Sequence, residues 1–400
     1  MLYFLYSDLP LRQRKEADIE TVEETESIFR QETLPVRNPV SVREETDFVP
    51  AHDKLKEHYL KDWPNLYQFL SQNVDLSEID NSETIVLNTH TLFNVETIEN
   101  NSLTLFINLD LINDIRRINQ YFLEVHKKFY NGSYFVGRAE TIDTHHSKIF
   151  SKYPGSFAEV IYALDFLIFR VLPKIPLINR LYFLITRGKN RVISKAEILG
   201  RLYFCGFKVS ATREIGDNFY FIACKIKNPA VDRNPSYGPL IKLRRIGYDG
   251  RIISVNKFRT MHPYSEYLQD YIYEQNHLQS NGKFNNDFRV TAWGRVFRKM
   301  WIDELPQLAN FFRGDLSLVG VRALSPHYFK LYPRDLQDLR VKFKPGLVPP
   351  YYADMPDSFA EIVDSERTYL LAKQQKPFTT DIKYFCKAMY NIFFNNARSR

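Results

Sequence analysis

The spacing of apolar residues divides the 400-residue chain into stretches of different texture. Residues 1–60 carry one short apolar piece at 2–6, then a charged and poorly periodic run with Pro35, Pro39 and Pro50 near its end. That pattern predicts a strand at most, followed by an extended arm, and makes Glu23, Glu24 and Glu26 a solvated face rather than a metal site. A new texture begins near residue 80. Alternation over 83–88, 103–108 and 133–141 predicts strands, and a helical period over 111–129 predicts an amphipathic helix before the third of them. Ser194 and Glu197 have the spacing of a capping box, opening a helix that stops at Gly206, and 207–211 and 218–225 follow as a strand pair. Strands separated by helices imply a parallel sheet, so residues 80–228 are expected to form an α/β domain.

Residues 150–190 interrupt this alternation. Within them, the stretch that begins at Phe157 and ends at Arg187 is rich in large apolar side chains but broken by Asp165, Arg170, Pro173, Lys174, Pro176 and Arg180. A spanning helix needs ~20 nearly uninterrupted apolar residues, so no membrane crossing is expected. Two readings stay open. One is a proline-broken helix lying shallowly in one leaflet with its lysines and arginines reaching the headgroups; the other is a hydrophobic helical hairpin inside the core.

A linker at 228–237, with Pro229 and Pro235, leads into a second domain at 236–400. Segments 240–245 and 252–256 read as strands around the turn Tyr248-Asp249-Gly250, which would bring Lys257 and Arg259 to one face of a strand end. Residues 264–285 read as a polar helix and a mobile loop. The sharpest local signal is Asp303-Glu304, followed by Leu305 and Pro306 and framed by Arg289, Arg295, Arg298 and Lys299 before it and Arg313 and Arg322 after it. Proline is tolerated in a first helical turn, so Asp303 is expected to cap a helix over 304–312 that Gly314 ends. Free N–H groups at such an end favour anions and would keep Asp303 ionised beside a docked phosphate. An ionised carboxylate among cations can serve as a phosphoryl-transfer nucleophile or as a ligand for Mg²⁺. It can equally be a plain cap inside a solvated rim of arginines.

The remaining pattern is helical. Ser358 and Glu361 open a helix that ends before Pro377, and a last helix over 380–394 carries Ile382, Phe385, Met389, Ile392 and Phe393 on one face, expected to pack on the domain. His262 and His327 sit in no dyad and read as ordinary surface or packing residues.

Composition narrows the partners. A net charge of +7 and a pI near 9.0 suit an anionic partner such as a nucleotide-sugar, a lipid phosphate or an acidic membrane. No nucleic-acid recognition module is present, so nucleic acid is not expected. Cys205, Cys224 and Cys386 lie far apart, which argues against a disulfide framework or a zinc site and suits a reducing cytosol. No signal peptide is expected, because the first residues lack a basic start and a long apolar run.

Several ordered motifs fall in one register across 236–350: Lys257-Phe258-Arg259-Thr260-Met261, Asp287-Phe288-Arg289-Val290-Thr291, Asp303-Glu304-Leu305-Pro306-Gln307, and Gly314-Asp315-Leu316-Ser317-Leu318-Val319-Gly320. Together they resemble the bacterial sugar transferase family, the monotopic phosphoglycosyl transferases that begin glycan assembly on polyprenyl phosphate. The resemblance implies an α+β catalytic domain that moves a sugar 1-phosphate from a nucleotide diphosphate sugar to polyprenyl phosphate, at the start of exopolysaccharide, capsule or O-antigen assembly. It makes Asp303 the nucleophile of a covalent aspartyl phosphosugar intermediate, and it assigns Mg²⁺ binding or proton handling to Glu304, with Asp303 as the second metal ligand. Lys257, Arg259, Arg289 and Arg322 would bind the diphosphate, and Asp287 would orient one of those arginines. It further implies the cytoplasmic face of a bacterial inner membrane, in a monotopic or peripheral arrangement that allows a homodimer, with the stretch from Phe157 to Arg187 as the contact with the membrane surface.

The chain departs from the family in two places. Members carry a proline-kinked re-entrant helix directly before the segment matched by Gly238-Pro239, whereas here the comparable apolar stretch lies some fifty residues earlier. The family's Gly-Pro-Arg-Pro is Gly320-Val321-Arg322-Ala323, and its Lys-Pro-Gly motif continues as Leu347-Val348-Pro349-Pro350. The first departure keeps a second function open, a non-catalytic scaffold of a glycan assembly system. The first half resembles the C-terminal half of a class I methyltransferase without its S-adenosylmethionine half, which implies a degenerate Rossmann-like domain used for packing or assembly.

Overall fold

A computed structural model of the chain describes residues 48–172, 178–187, 189, 191–230, 237–269, 271–272 and 287–395. The described residues divide into two compact units, one of residues 48–237 with 263–272 and the other of residues 238–262 with 287–395. Residues 1–47 of the expected arm over 1–60, the centre of the linker and residues 273–285 of the expected helix and loop over 264–285 lie outside the described residues.

The first unit is an α/β layer structure. Its strands β1 (Thr84–Leu87), β2 (Leu103–Leu111), β3 (Phe129–Ala139), β4 (Phe207–Ile215) and β5 (Asn218–Lys225) form one sheet in the order β1-β2-β3-β5-β4. The β1–β2 and β2–β3 pairs are parallel, and the closing hairpin β4–β5 adds antiparallel through β5. Side chains alternate across a pleated sheet, and here both faces are buried. Leu105, Ile107, Val136 and Ile222 point to one side, against Ala51, Leu55, Leu66, Phe69 and Leu70. Phe106, Phe135 and Phe221 point to the other, where Phe135 meets Phe122, Phe207 and Phe221 at ring separations of 5.5, 5.8 and 5.3 Å. Each such buried ring is worth roughly 2 kcal/mol of transfer free energy.

Several boundaries differ from the sequence expectation for physical reasons. The stretch 51–60 is not an extended arm: α1 (Ala51–Lys54) and a wide turn after it bury Ala51, Leu55 and Leu60, and α2 (Pro64–Ser71) continues the same layer. The helix expected from 111 starts later, as α3 (Ile118–Lys128), because β2 runs on to Leu111 and a tight turn follows. The segment Pro263–Ile272, expected in the second domain, packs within the first unit: Leu268 and Ile272 are buried, and the Asn119 amide donates to the Tyr264 hydroxyl at 2.7 Å.

Between β3 and α7 (Lys195–Phe204) stands the apolar insert, as α4 (Ile142–Lys152), α5 (Gly155–Phe166), a wide turn over Leu167–Val171 and α6 (Ile178–Thr186). No helix among the described residues is long and apolar enough to cross a membrane. Arg170 does not reach outward to headgroups. It is buried and donates to Glu197 at 2.7 Å, and Glu197 also receives Arg201 at 2.9 Å. This explains why the expected capping box is only half formed: Ser194 accepts from the Glu197 N–H, while the Glu197 carboxylate turns inward to the arginines. Removing one member of such a buried pair leaves the other charge uncompensated, at a cost of about 3–5 kcal/mol.

A second polar clasp holds α5. His145 bonds Glu140 at 2.9 Å through Nδ1 and Asp165 at 2.6 Å through Nε2, while Lys148 reaches Glu140 at 3.2 Å. The Glu140 partner first, then Asp165, hold the imidazolium, so His145 titrates above its ordinary 6.5 despite burial. Glu140 lies below its ordinary value, because the bonds from His145 and Lys148 outweigh the burial that opposes them. The raised histidine contributes stability that is complete below its unfolded pKa and lost as pH rises through the folded one; the lowered glutamate loses its contribution only as pH falls through its own folded pKa. Hydrogen exchange of the α5 amides should therefore speed up as pH rises past the raised His145 value, beyond the intrinsic base-catalysed increase. His145→Gln should flatten that excess and cost about 1–2 kcal/mol of local stability at pH 6. An α5 protection profile with the same excess in both proteins would contradict the clasp.

Candidate active site

The second unit is built on the antiparallel hairpin β6 (Leu240–Ile246) and β7 (Ile252–Phe258), whose turn places Asp249 and Gly250 at φ of 56° and 69°. Glycine meets that left-handed requirement freely, and aspartate tolerates it better than most residues. Around the hairpin lie α8 (Ala292–Lys299), a 3₁₀ turn at Ile302–Gln307, α9 (Leu308–Phe312) and the short parallel pair β8 (Ser317–Val319) and β9 (Gly346–Val348). The last two strands meet so closely that a Cβ on Gly346 would lie 2.1 Å from the Gly320 nitrogen. A short helix at Pro326–Lys330 and helices α10 (Arg334–Val341), α11 (Tyr351–Asp354), α12 (Phe359–Gln375) and α13 (Pro377–Phe394) complete the described part of the unit. The expected apolar face of α13 is divided: Phe385 and Ile392 pack inward, whereas Ile382 and Phe393 are exposed.

Local geometry delivers the carboxylates. Thr291 caps α8 by accepting from the Gly294 N–H at 2.9 Å, and its hydroxyl donates to the Thr260 carbonyl at 3.0 Å. Trp301 then turns left-handed at φ 54° and starts the 3₁₀ turn, its indole N–H donating to the Tyr352 hydroxyl at 3.2 Å. Asp303 is therefore not the helix cap that its spacing suggests. It lies inside the 3₁₀ turn, because the left-handed residue two positions earlier supplies the chain reversal. Gly314, at φ 79°, ends α9 as expected.

Asn310 locks this element to the hairpin. Its side chain is fully buried, donates to the Ser254 carbonyl at 2.7 Å and to Asp315 at 3.0 Å, and accepts from the Asn256 N–H at 3.0 Å. Nothing in the periodicity singled it out, although a polar residue between apolar neighbours in a short helix was the available signal.

The result is one ammonium facing two carboxylates. Lys257 Nζ lies 2.6 Å from Glu304 Oε1 and 3.8 Å from Asp303 Oδ2. Burial raises the Asp303 pKa above the ordinary carboxylate value; Lys257 and Arg298 oppose the shift and Glu304 adds to it. Glu304 is held below its ordinary value by Lys257, Arg322 and a bond from Gln307, against the burial that would raise it. The unequal distances account for the division: Glu304 takes most of the Lys257 charge, so Asp303 is the more readily protonated of the pair. In place of the expected helix end, burial acts on Asp303 from inside a 3₁₀ turn and raises its pKa, with Lys257 and Arg298 opposing.

The other expected residues take distinct places. Arg289 is buried and forked on Asp287, with Nε at 2.9 Å from Oδ1 and Nη2 at 2.7 Å from Oδ2. Arg298, half-buried between these groups, donates to Thr260 at 2.8 Å and feels both Asp303 and Asp287. Arg259 is buried and donates to the Gly238 carbonyl at 2.9 Å. Arg322 sits among Tyr351, Glu304 and Tyr352, which together hold its guanidinium above its ordinary range against burial. Sequence reasoning assigned no part to Gln307, Tyr351 or Tyr352. Gln307 lies within the quoted motif and shares the 3₁₀ turn with the carboxylates, whereas Tyr351 and Tyr352 lie where motif spacing is silent and are brought to the site by tertiary folding. Trp293, Val296, Met300, Leu305, Leu308 and Phe312, on α8, the 3₁₀ turn and α9, are all exposed and give these elements an apolar outer surface.

Asp303 and Glu304 suit a Mg²⁺ ion in kind, since that ion commonly takes one or two carboxylates and completes its shell with phosphate oxygens and water. Asn310→Ala should cost about 2 kcal/mol, because it strands the Asn256 N–H and the Ser254 carbonyl. It should also loosen the Lys257–Glu304 pair, a change visible as faster exchange of the β7 amides. Unchanged β7 exchange would show that the lock does not set the site.

The family model for bacterial sugar transferases matches residues 222–395. Among curated relatives, the galactosyl transferase CpsE of Streptococcus agalactiae serotype III is 38% identical over 112 residues, which is 28% of this chain and 25% of the relative. The exopolysaccharide production protein ExoY of Rhizobium meliloti is 41% identical over 96 residues, covering 22% of this chain and 42% of that protein. The undecaprenyl-phosphate galactose phosphotransferase of Salmonella typhimurium is 35% identical over 109 residues, covering 26% and 23%. In these relatives the matched part of the chain spans from about a quarter to less than half of their length.

Proposed function

We propose that the protein, whose residues 222–395 match the family model for bacterial sugar transferases, is a phosphoglycosyl transferase that moves a sugar 1-phosphate from a nucleotide diphosphate sugar to a polyprenyl phosphate. The observation that carries this reading is the Lys257 ammonium set between Asp303 and Glu304, with Arg298 and Arg322 facing the same pair.

In the proposed reaction an Asp303 carboxylate oxygen attacks the sugar-proximal phosphorus. A new O–P bond forms to the sugar phosphate, the bond to the bridging oxygen breaks, and the nucleoside monophosphate leaves with the electron pair. A lipid phosphate oxygen then attacks the same phosphorus and returns the free carboxylate. Lys257 and Arg322 supply positive charge where the leaving phosphate gathers negative charge, and fixed cations in a half-buried site are worth most there. Arg289, held rigid by its fork on Asp287, would add positive charge for the diphosphate. A Mg²⁺ ion held by Asp303 and Glu304 would neutralise further diphosphate charge. The exposed apolar side chains around the turn suit an acceptor with a hydrocarbon chain.

Asp303→Asn should abolish transfer, by a factor of at least about 10³, while the fold persists. Burial disfavours the Asp303 charge, so its removal should leave the melting temperature at neutral pH unchanged or slightly raised. Transfer by this variant near the wild-type rate would refute the assignment. Lys257→Gln tests the electrostatics separately. Loss of the cation should raise the Asp303 pKa, so the acid limb of the transfer rate should move to higher pH, and an unmoved limb would argue against Asp303 as the ionising group.

A further inference from the structure

We propose that Tyr352 is a positioning residue for Asp303: its hydroxyl receives the Trp301 indole N–H and so holds the strained turn that carries the nucleophile. This rests on the reading of Asp303 as the group that attacks phosphorus. Trp301 is a bulky residue at φ 54° and ψ 17°. In that left-handed region the Cβ of an L-residue crowds the following carbonyl oxygen, and the conformation persists only where its surroundings over-determine it. Trp301 also opens the turn directly. Its carbonyl accepts the Glu304 N–H at 3.1 Å, so a drift of Trp301 carries Asp303 and Glu304 with it.

The restraint lies on α11. Tyr352 Oη accepts from Trp301 Nε1 at 3.2 Å, and the two rings meet edge to face, with 81° between their planes and 5.9 Å between their centres. The hydrogen bond and the edge-to-face contact together fix the direction and the depth of the indole. Tyr352 is itself anchored. It is buried, its ring centre lies 4.5 Å from that of Tyr351, and the buried Asn391 of α13 donates to the Tyr352 and Ala353 carbonyls at 3.0 and 2.8 Å. A four-residue helix that ends at the left-handed Met355 has little rigidity of its own, so its hold comes from α13. A line of fixed contacts thus runs from Asn391 through Tyr352 and Trp301 to the carboxylates. Asn310 secures the chain after the turn, and Tyr352 secures the residue before it. Attack on phosphorus needs in-line placement, and a misplacement of about 1 Å costs up to about 10²-fold in rate. Binding should change little, because the cations offered to the diphosphate remain.

The test measures steady-state transfer by the full chain from a panel of UDP-hexoses to undecaprenyl phosphate, for Tyr352→Phe, Trp301→Phe and the double variant. Tyr352→Phe keeps the buried ring and removes only the acceptor. Its kcat should fall about tenfold, with KM for the donor within about twofold of wild type. Trp301→Phe should behave alike, and the double variant should fall no further than the lower single, because both changes break one contact. Gln337→Ala on α10, which loses a bond to the Tyr332 carbonyl at 2.6 Å, controls for lost stability alone and should keep the wild-type kcat. Independently of transfer, the Trp301 indole N–H, one of three in the chain, should exchange with solvent faster in Tyr352→Phe, as followed by NMR with Trp63 and Trp293 as references. A wild-type kcat in Tyr352→Phe, a raised KM at constant kcat, a double variant reduced by the product of the single losses, or an equal loss in Gln337→Ala would each overturn the proposal. So would unchanged indole exchange. A wild type that turns over no donor of the panel would instead remove the transferase reading, and the positioning role with it.

Discussion

Two adjacent carboxylates can share a half-buried site only when a cation keeps them from repelling, and Lys257 is that cation. Its ammonium lies close enough to Glu304 to hold it ionised and far enough from Asp303 to leave that group raised in pKa and sterically less engaged. One residue is thereby fixed and the other remains available. The asymmetry is geometric. It rests on β7 presenting Lys257 to a 3₁₀ turn whose start is set by the left-handed Trp301, and on Asn310 clamping the helix after that turn to the backbone of the same strand.

Buried charge organises the first unit in the same manner. Glu197 receives two arginines, one from the apolar insert and one from its own helix, and Arg201 reaches on to Asn119 and lies over the Tyr264 ring. Such a cluster is poor as a source of net stability and good at selecting one arrangement, since each partner is costly to leave unpaired. It ties the wide turn after α5 to α7 and holds Tyr264, at the start of Pro263–Ile272, in the first unit.

The sequence made the regular parts legible and left the bent parts hidden. Period-two runs located all five strands of the first sheet, and Gly314, Ser358 and Pro377 marked helix ends correctly, because these signals are local. The motif around Asp303 was found, but its conformation was not. Capping rules assume that the residue before the turn is extended, and nothing in the letters announced that Trp301 would adopt a positive φ. Arg170 looked like a snorkelling residue because its only nearby context was apolar; its partner lies 27 positions away and becomes visible only after folding. Tyr351 and Tyr352 joined the site for the same reason, carried there by a helix beyond the recognised motifs.

The central claim is that the Asp303 oxygen becomes covalently bonded to phosphorus. Intact-protein and peptide mass spectrometry after incubation with a nucleotide diphosphate sugar, with the lipid acceptor withheld, addresses it directly. The account predicts a gain equal to one sugar phosphate on the peptide containing Asp303, discharged when polyprenyl phosphate is added. A preparation that transfers sugar phosphate but carries no adduct, or carries it on another residue, would contradict it.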